Sequence, residues 1–548
     1  MAQQVRPVFP VFHYGDFDPN ALCHIASELR RGSRCFCNLN QIPARGGFNW
    51  AILIQFEDGL EWVFRSPVKN HPELSNECVT KLLSSEAATL KFLKHYTDIP
   101  VPYVFSHCPN KENPIRIPYI LMSKADGKTL EMMWGLENFH RRLDLLDVPI
   151  RKVMFQLGEI AWKLCQFRFA QIGSLIEEDG HFIIGECLSR GHLQHKRHSL
   201  KRVRRGPFNT DHEFYNSLIA AFTRQAEVLP LGHHCFAAPV PSKTDFSTTD
   251  EWKEACNLWG EFVTVGQKVD TAVNRADYVM AGNALNEMIT RYESNWQNIT
   301  SSIPFALHHP DLSMSNIFVD DHYNITCIID WAFTTTVPLP WLLSPPGFPQ
   351  SRNRLADRFC LSFRDGFKHA SSLGMPAQFE GLSIPKAVQC IENNHFAWCL
   401  SRLLALDSTD DLSLFRTLWE SVYPPANKLE SYLFLQRTLF NPRRRYASIR
   451  LEDLSAGQIR KTENDAFTKA QQFELSLARH LTIISDWGVN YDQFKCAGLR
   501  EADQILITEL RLWRWILQFK EEHRERVGID ENKTGTEESQ AVIEEGKN

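Results

Sequence analysis

The sequence predicts an α+β fold in two parts, a small β-rich part near the N-terminus and a larger, mostly helical part after it. Short alternating segments such as WAILIQFE and LEWVFRS predict a β-meander before residue 70. Helical periodicity then dominates, as in VMFQLGEIAWKLCQFRFA at 153–170. The stretch ALHHPDLSMSNIFVDDHYNITCIIDW at 306–331 interrupts these helices and predicts two apolar strands joined by a polar turn.

The size and composition of the chain limit the possible classes of protein. Its 548 residues exceed the usual size of a single hydrophobic core, so we expect two or more domains or lobes. Hydrophobic residues at 43% and charged residues at 23% are ordinary globular values, which argue against a disordered or fibrous protein. The formal net charge of -5 provides no overall attraction to nucleic acid or anionic membranes, so we expect neither partner.

Targeting signals and cysteine motifs give no sign of secretion. The N-terminus lacks the basic and apolar regions of a secretory signal, and no window offers the roughly 18 apolar residues that a membrane span needs. None of the fourteen cysteines forms a C-x-x-C pair, so we expect buried free thiols. These observations predict a cytoplasmic protein, and the oligomeric state stays open.

The elements of the N-terminal part follow one another in a clear order. NALCHIASELRR at 20–31 predicts a helix, and the strands after it turn at Asp58-Gly59. LSSEAATLKFLKHY at 83–96 predicts a second helix that ends before Pro100, because proline cannot continue a helix. RIPYILMSKADGKTL then predicts a strand that leads out of this part.

These elements divide the chain into four segments. Residues 1–124 form the predicted small lobe, and residues 125–380 form the helical lobe that contains the stretch at 306–331. Further helical periodicity predicts a helical extension over 381–527. The segment 528–548 has almost no large apolar residues, so we predict a disordered tail.

Four residues in the stretch 306–331 match the chemistry of phosphoryl transfer. This reaction needs an oriented hydroxyl, metal ions that bridge the phosphates, and a carboxylate near the nucleophile. Asp311 could accept or orient the hydroxyl proton, and Asn316 offers an amide oxygen that suits Mg²⁺. If NIFV and ITCIID form a hairpin, Asp330 returns to the same end as a second metal ligand. His309 would support the loop through hydrogen bonds.

Each of these residues alone has an ordinary structural explanation. Asp and Asn routinely cap turns and end strands, so a single position favours that interpretation. The joint pattern is more specific, because H-x-D, Asn at the fifth position after it, an apolar strand, a polar turn and IIDW occur together. This combination favours a catalytic site.

With these motifs the sequence resembles the aminoglycoside phosphotransferase family, which has a bilobal protein-kinase-like fold, and especially a large fungal branch of that phosphotransferase family. The resemblance covers roughly residues 20–345 and also rests on GGFNWAILIQFEDGLEWVFR, SEAATLKFL, IPVPYV, YILMSKADGKTL, IGSL and RGPFNTDHEFY. It implies that residues 1–124 bind the nucleotide and that the cofactors are ATP and Mg²⁺.

The resemblance also implies roles for residues of the small lobe. Gly46 and Gly47 occupy the place of the loop that covers the phosphates, where backbone N–H groups approach closely. Arg65 stands at the position of the cation that binds the α- and β-phosphates, and Glu86 on the following helix would pair with it. Backbone groups of Met122 and Lys124 would contact the adenine edge.

The sequence departs from related enzymes at several points. Arg65 replaces the lysine of protein kinases, and a guanidinium binds phosphate as a planar fork instead of a point charge. Ala332 stands where many relatives have a glutamate. Asp330 is not followed by Phe-Gly, and no Ala-Pro-Glu occurs at the expected distance, which argues against a protein kinase.

The acceptor is not identified by the sequence. The basic run HLQHKRHSLKRVRR at 192–205 is either a solvated face or a surface beside an anionic substrate, and without interleaved aromatic residues it does not favour nucleic acid. Asp211, Glu213, Asp410 and Asp411 could hold a cationic acceptor, but surface solvation explains them equally well.

We therefore predict an ATP- and Mg²⁺-dependent small-molecule kinase, a phosphotransferase that uses a hydroxyl group of a small molecule as the acceptor. The alternative is a pseudokinase-like binding or scaffold protein, which Arg65 and Ala332 keep open. A protein kinase is the weaker alternative among enzymes.

Overall fold

The chain divides into two compact units, Met1–Gly232 with Asp270–Asp453 and His233–Val269 with Leu454–Asn548. Thr248 is the one described residue of the second unit, so the account below concerns the first unit. The predicted tail at 528–548 lies outside the described residues. The computed structural model describes residues 10–12, 14–46, 48–69, 74–135, 145–228, 248, 272–296, 305–348, 351, 356–373, 383–405, 414–424, 429 and 431–432.

An antiparallel sheet forms the centre of the small lobe. Within the described residues its strands have the order β1-β3-β4-β6-β5, and β2 pairs with β3 outside this path. In β3 and β4 buried side chains alternate with more exposed ones, as the sequence pattern predicts for a sheet with one buried face. The strands are β1 Cys35–Cys37, β2 Ala44–Arg45, β3 Asn49–Phe56, β4 Glu61–Pro67, β5 Val104–Cys108 and β6 Tyr119–Ser123.

Two capped helices accompany this sheet. Helix α1, Pro19–Leu29, begins where the Asp18 carboxylate accepts hydrogen bonds from two backbone N–H groups of the first turn. Helix α2, Asn76–Tyr96, is capped by Ser75 and therefore starts seven residues before the predicted position 83. It ends at Tyr96 as predicted.

The helical lobe contains the predicted hairpin. Strands β11 and β12 pair in antiparallel fashion, and β7 adds a third strand beside β11. Strand β10 precedes the hairpin in the sequence and β13 follows it, and these two strands pair with each other. The elements are β7 Lys128–Thr129, α3 Leu130–Trp134, α4 Asp147–Cys165, β8 Leu175–Glu178, β9 His181–Ile184, α5 Arg190–Leu193, α6 Asp211–Val228, α7 Ala272–Trp296, β10 Phe305–His308, β11 Ile317–Val319, β12 Ile325–Ile328, β13 Thr335–Pro338, α8 Leu339–Leu342, α9 Asp357–Ser372, α10 Ile384–Glu392, α11 His395–Ala405 and α12 Leu414–Val422, with short 3-10 turns at Pro10–Phe12 and Arg197–Ser199.

Helices α4 and α9 approach each other through a reciprocal pair of glycines. A side chain on Gly158 would overlap the backbone carbonyl of Phe363, and one on Gly366 would overlap the backbone carbonyl of Phe155. Glycine inside a helix costs about 1 kcal/mol relative to alanine, so close packing offsets a local loss of stability. These helices thus lie at backbone contact.

The core of the first unit runs from α2 into the helical lobe. Buried side chains of α2, such as Ala87 and Leu90, belong to the same cluster as Val319 and Ile328 of the hairpin. A second cluster joins α6, α7, α11 and α12. The β11–β12 hairpin and α2 therefore share one buried core.

The predicted α+β fold is confirmed for the described residues, which combine a small antiparallel sheet and its helices with a mostly helical second part. Of the predicted extension 381–527, the described part contains α10, α11 and α12, and the remainder lies outside the described residues. Among the described helices, none combines the length and apolar composition that a membrane crossing requires.

Candidate active site

His309 joins the two ends of the β11–β12 hairpin. Its Nδ1 accepts a hydrogen bond of 3.0 Å from the backbone N–H of Asp311, so the ring proton lies on Nε2, which donates to the Ile329 carbonyl at 3.0 Å. The ring is buried and packs edge-on against Trp331, with 4.6 Å between ring centroids. Burial lowers the pKa of His309 despite the nearby carboxylates, so the ring is neutral and structural in this arrangement.

Asn316 and Asp330 lie at the same end of the hairpin. Ile317, directly after Asn316, pairs with Ile328, two residues before Asp330. The Asn316 Nδ2 donates to the backbone carbonyl of Asp311 at 3.0 Å, which leaves Oδ1 as the atom suited to a cation.

Asn316 and Asp330 offer an amide oxygen and a carboxylate, the ligand types that suit Mg²⁺. No group of three His, Cys, Asp or Glu side chains gathers as a metal site among the described residues. A cation at Asn316 and Asp330 would therefore have two protein side chains, with phosphate and water oxygens completing its shell. Mg²⁺ is commonly bound in this way in phosphoryl-transfer enzymes.

Arg65 lies between two carboxylates. Its Nη1 pairs with Glu86 of α2, and its Nη2 donates to Asp330 Oδ1 at 2.6 Å. The side chains of Arg65 and Glu86 are only 12% and 4% exposed, so this is a buried pair and not a surface one. Burial acts to lower the pKa of Arg65, but the two carboxylates outweigh it and raise the pKa, so the guanidinium is charged.

The segment after β12 has an unusual backbone. Asp330 and Phe333 both have φ of 62°, in the left-handed region that bulky residues rarely adopt. Such a conformation costs on the order of 1–3 kcal/mol and persists where the surrounding structure fixes it. The Phe333 ring packs edge-on against Phe48 of the turn before β3, with 4.9 Å between centroids. The contact ties this segment to the predicted phosphate loop.

Asp311 has a partner on each of its carboxylate oxygens. Arg190 Nη2 donates to Oδ2 at 3.0 Å, and Ser351 Oγ donates to Oδ1 at 2.8 Å. Burial acts to raise the pKa of Asp311, but the Arg190 charge and the two hydrogen bonds outweigh it, so the pKa lies below its usual value. Asp311 is therefore an ionised carboxylate with both oxygens hydrogen-bonded.

The sequence interpretation missed Arg190, Ser351 and Phe333. Arg190 and Ser351 stand 121 and 40 residues from Asp311 in the chain, and no motif connected them to it. Arg190 lies two residues before the basic run at 192–205, so the dense charge was the one available signal. The guanidinium also lies 5.9 Å from the centre of the Phe333 ring.

The basic run is partly buried, which makes the solvated interpretation wrong for several of its members. His192 and Arg197 are fully buried. Arg197 donates to the carbonyls of Gly191 and Leu404, at 2.7 and 2.6 Å, and Arg205 donates to the carbonyls of Arg197 and Leu200. These cations hold the segment before α6 in place.

Two of the four acidic residues that could hold a cationic acceptor lie within the described residues, at the start of α6. Glu213 accepts a hydrogen bond of 2.8 Å from the Asn209 backbone and pairs with Arg204 at 3.2 Å. Burial raises the pKa of Asp211 at the start of α6. The remaining two, Asp410 and Asp411, lie outside the described residues.

The residues expected to bind the nucleotide are distributed around the small lobe. The N–H of Gly46 donates to the Asn49 carbonyl at 2.8 Å and closes the turn between β2 and β3, whereas Gly47 lies outside the described residues. Met122 is in β6, opposite Val63 of β4. Lys124 directly follows β6, and its Nζ pairs with a glutamate of β4 at 2.6 Å.

A small cavity adjoins the Arg65–Glu86 pair. Its lining contains both of these residues, Phe48 and Phe333 at the aromatic contact, and apolar side chains of α2. The described lining does not include Met122 or Lys124. The cavity therefore adjoins the predicted phosphate-binding pair and not the predicted adenine contacts.

Comparison with known proteins gives distant relatives. No family model matches the chain. Over 312 residues it is 27% identical to a subtelomeric hrmA-associated cluster protein of Aspergillus fumigatus, a match that covers 54% of this chain and 57% of that protein. Over 311 residues it is 25% identical to altered inheritance of mitochondria protein 9 of Lachancea thermotolerans, covering 52% and 46% of the two chains. The chain spans about half the length of these curated relatives.

A structural comparison matches the chain to solved structures of small-molecule phosphotransferases. A putative fructosamine-3-kinase from Thermobifida fusca is 14% identical, with a TM-score of 0.36 over 73% of this chain and 98% of that chain. A thermostable mutant of aminoglycoside phosphotransferase APH(4)-Ia, in a ternary complex with ADP and hygromycin B, is 13% identical, with a TM-score of 0.35 over 73% and 97%.

Proposed function

We propose that the chain is an ATP- and Mg²⁺-dependent phosphotransferase that transfers the γ-phosphoryl group to a hydroxyl of a small molecule. The observation that carries this proposal is the set of contacts in which His309 ties Asp311 to the end of the hairpin, while Arg65 joins Asp330 to Glu86. Catalytic carboxylate, candidate metal ligands and cation thus form one connected site.

Each residue has a role that follows from its surroundings. Asp311, ionised beside Arg190, accepts or orients the proton of the incoming hydroxyl. Arg65 provides a planar, permanently charged group for phosphate oxygens. Asn316 and Asp330 would hold Mg²⁺, which when bound neutralises charge on the phosphates.

A thermal melt tests this function. Mg²⁺ and ATP together should raise the melting temperature, because a ligand at a hundred times its Kd adds about 2.7 kcal/mol to the stability of the folded state. ATP with a chelator should give a smaller rise. The Asp330→Asn variant should lose the metal-dependent part of the rise. The matched control is Asp321→Asn, which alters an exposed carboxylate in the turn of the same hairpin.

Transfer itself is tested by ADP formation with a panel of small hydroxyl compounds. Asp311→Asn should bind Mg-ATP in the melt and fail to form ADP, since Asp311 acts on the acceptor and not on the nucleotide. A protein that shows no nucleotide-dependent rise in any form would overturn the proposal and favour the binding or scaffold alternative.

The location of the protein is a separate part of the proposal. The cytoplasm is the location expected from the sequence. The names of relatives such as altered inheritance of mitochondria protein 9 make mitochondria the alternative. Fluorescence microscopy of the full-length chain with a C-terminal fluorescent tag distinguishes the two.

A further inference from the structure

The Ser351 hydroxyl stands where an acceptor hydroxyl would stand. In phosphoryl transfer the attacking hydroxyl is hydrogen-bonded to the catalytic carboxylate. Ser351 Oγ donates to Asp311 Oδ1 at 2.8 Å, an ordinary length for an O–H···O hydrogen bond. A small-molecule acceptor that reached Oδ1 would have to displace this serine.

We propose that Ser351 is an intramolecular phosphate acceptor, which the protein phosphorylates on its own chain when nucleotide is bound and no small-molecule acceptor is present. This inference rests on the proposed function, because the phosphoryl donor is ATP. It assigns a modification site to a residue outside the catalytic motif.

The surroundings of Ser351 suit this reaction. Its backbone carbonyl accepts a hydrogen bond of 3.0 Å from the Gly347 N–H. Arg190 holds the other oxygen of Asp311, which leaves Oδ1 as the oxygen that receives the serine proton. The side chain is half-buried, so it is neither locked in the core nor free in solvent.

Other hydroxyls of the catalytic loop are arranged differently. Ser313 and Ser315 bond to each other at 3.1 Å between their Oγ atoms. Among the described residues, Ser351 supplies the side-chain hydroxyl that is bonded to Asp311. Ser351 is therefore proposed as the acceptor because its hydroxyl is bonded to Asp311, and not because it lies near the loop.

The step balances without a further reactant. A bond forms between Ser351 Oγ and the γ-phosphorus, and the bond from that phosphorus to the bridging oxygen of ATP breaks. ADP leaves with the bonding electrons, and the hydroxyl proton passes to the Asp311 carboxylate and from there to solvent. The product is a phosphoserine next to Asp311, whose other carboxylate oxygen is held by Arg190.

Mass spectrometry of the full chain tests the proposal. The protein is treated with phosphatase, freed from it, and incubated with Mg-ATP without acceptor. We expect a mass increase of one phosphoryl group, located on the peptide that contains Ser351. Ser351→Ala and Asp311→Asn should lose it, whereas Ser351→Thr should keep it. The control Ser372→Ala, at the exposed end of α9, should behave like the unaltered protein.

The kinetics and the sites of modification decide the remaining outcomes. The fraction modified per unit time should be independent of protein concentration; a rate that rises with concentration would show transfer between molecules and overturn the intramolecular proposal. ADP formation with an acceptor, but no phosphate on Ser351, would overturn this inference and leave the proposed function intact. Absence of any nucleotide-dependent thermal shift would overturn both.

Discussion

Arg65 Nη2 lies 2.6 Å from Asp330 Oδ1, so a direct ion pair connects strand β4 with the segment that follows β12. The same guanidinium pairs with Glu86 on α2. A lysine ammonium does not reproduce this fork, because it is a point charge at the end of a flexible chain. The arginine that departs from the protein-kinase pattern is therefore suited to the two carboxylates that surround it.

Removal of Glu86 should strongly destabilise the fold. Glu86→Ala leaves the Arg65 charge buried with one carboxylate fewer, and breaking a buried pair in this way costs about 3–5 kcal/mol. Denaturant unfolding measures the loss. The matched control is Glu77→Ala on the same helix, where the exposed pair with Lys81 should contribute little to stability. Equal losses of unfolding free energy in the two variants would show that the buried pair contributes no more to stability than the exposed one.

Replacement of Arg190 should change the pH dependence of phosphoryl transfer. Without the guanidinium the pKa of Asp311 rises, so the acidic limb of the rate profile should move to higher pH. ADP formation across the acidic range measures the shift in Arg190→Gln. Arg190→Lys should shift less because it keeps the charge.

A matched control separates this effect from a general loss of positive charge. Lys201→Gln removes an exposed cation of the basic run that follows Arg190, and its profile should coincide with that of the unaltered protein. If Arg190→Gln lowered the rate equally at every pH, Arg190 would act on something other than the protonation of Asp311.

Local spacing made part of the site predictable. The loop with His309 and Asp311, the hairpin and Asp330 lie within about twenty residues, so the sequence determines their proximity through one turn and one pair of strands. The start of α2 was misplaced because periodicity registers buried side chains, whereas the helix is started by the polar cap at Ser75.

Long-range contacts could not be read from the sequence in the same way. Arg190 and Ser351 reach Asp311 from separate parts of the chain, and only the packing of the helical lobe brings them together. The burial of Arg197 was missed for a related reason. A dense run of charges predicts solvent exposure on average, but it cannot show that backbone carbonyls will accept its donors.

The contact between α4 and α9 should not tolerate a methyl group. Gly158→Ala places a Cβ against the Phe363 carbonyl, which belongs to backbone and cannot rotate away. Overpacking costs about 1–3 kcal/mol and should exceed the gain of about 1 kcal/mol in helix propensity. Denaturant unfolding should show a net loss of stability. Ser362→Ala on α9 should stay within about 0.5 kcal/mol, and a stabilised Gly158→Ala would contradict the backbone contact.

The buried His192 should make stability depend on pH. Its ring lies between Ser189 Oγ at 2.8 Å and Ser217 Oγ at 3.0 Å, and burial, with the charges of Arg205 and Arg197, lowers its pKa from 6.5 to about 3. The unfolded chain therefore binds a proton that the folded chain does not. This contribution to stability is complete above the unfolded pKa and is lost as the pH falls toward the folded pKa.

The expected loss of unfolding free energy can be measured because substitution of His192 removes it alone. Near pH 5, His192 should have lost about 2 kcal/mol of its contribution relative to neutral pH. In His192→Asn the fall in unfolding free energy between these conditions should be smaller by about that amount, whereas a change at the exposed His181 should leave the fall unaltered. Denaturant unfolding at the two pH values decides the matter. An equal fall in His192→Asn and in the unaltered protein would mean that this ring takes up a proton as readily in the folded chain as in the unfolded one, which would contradict its lowered pKa.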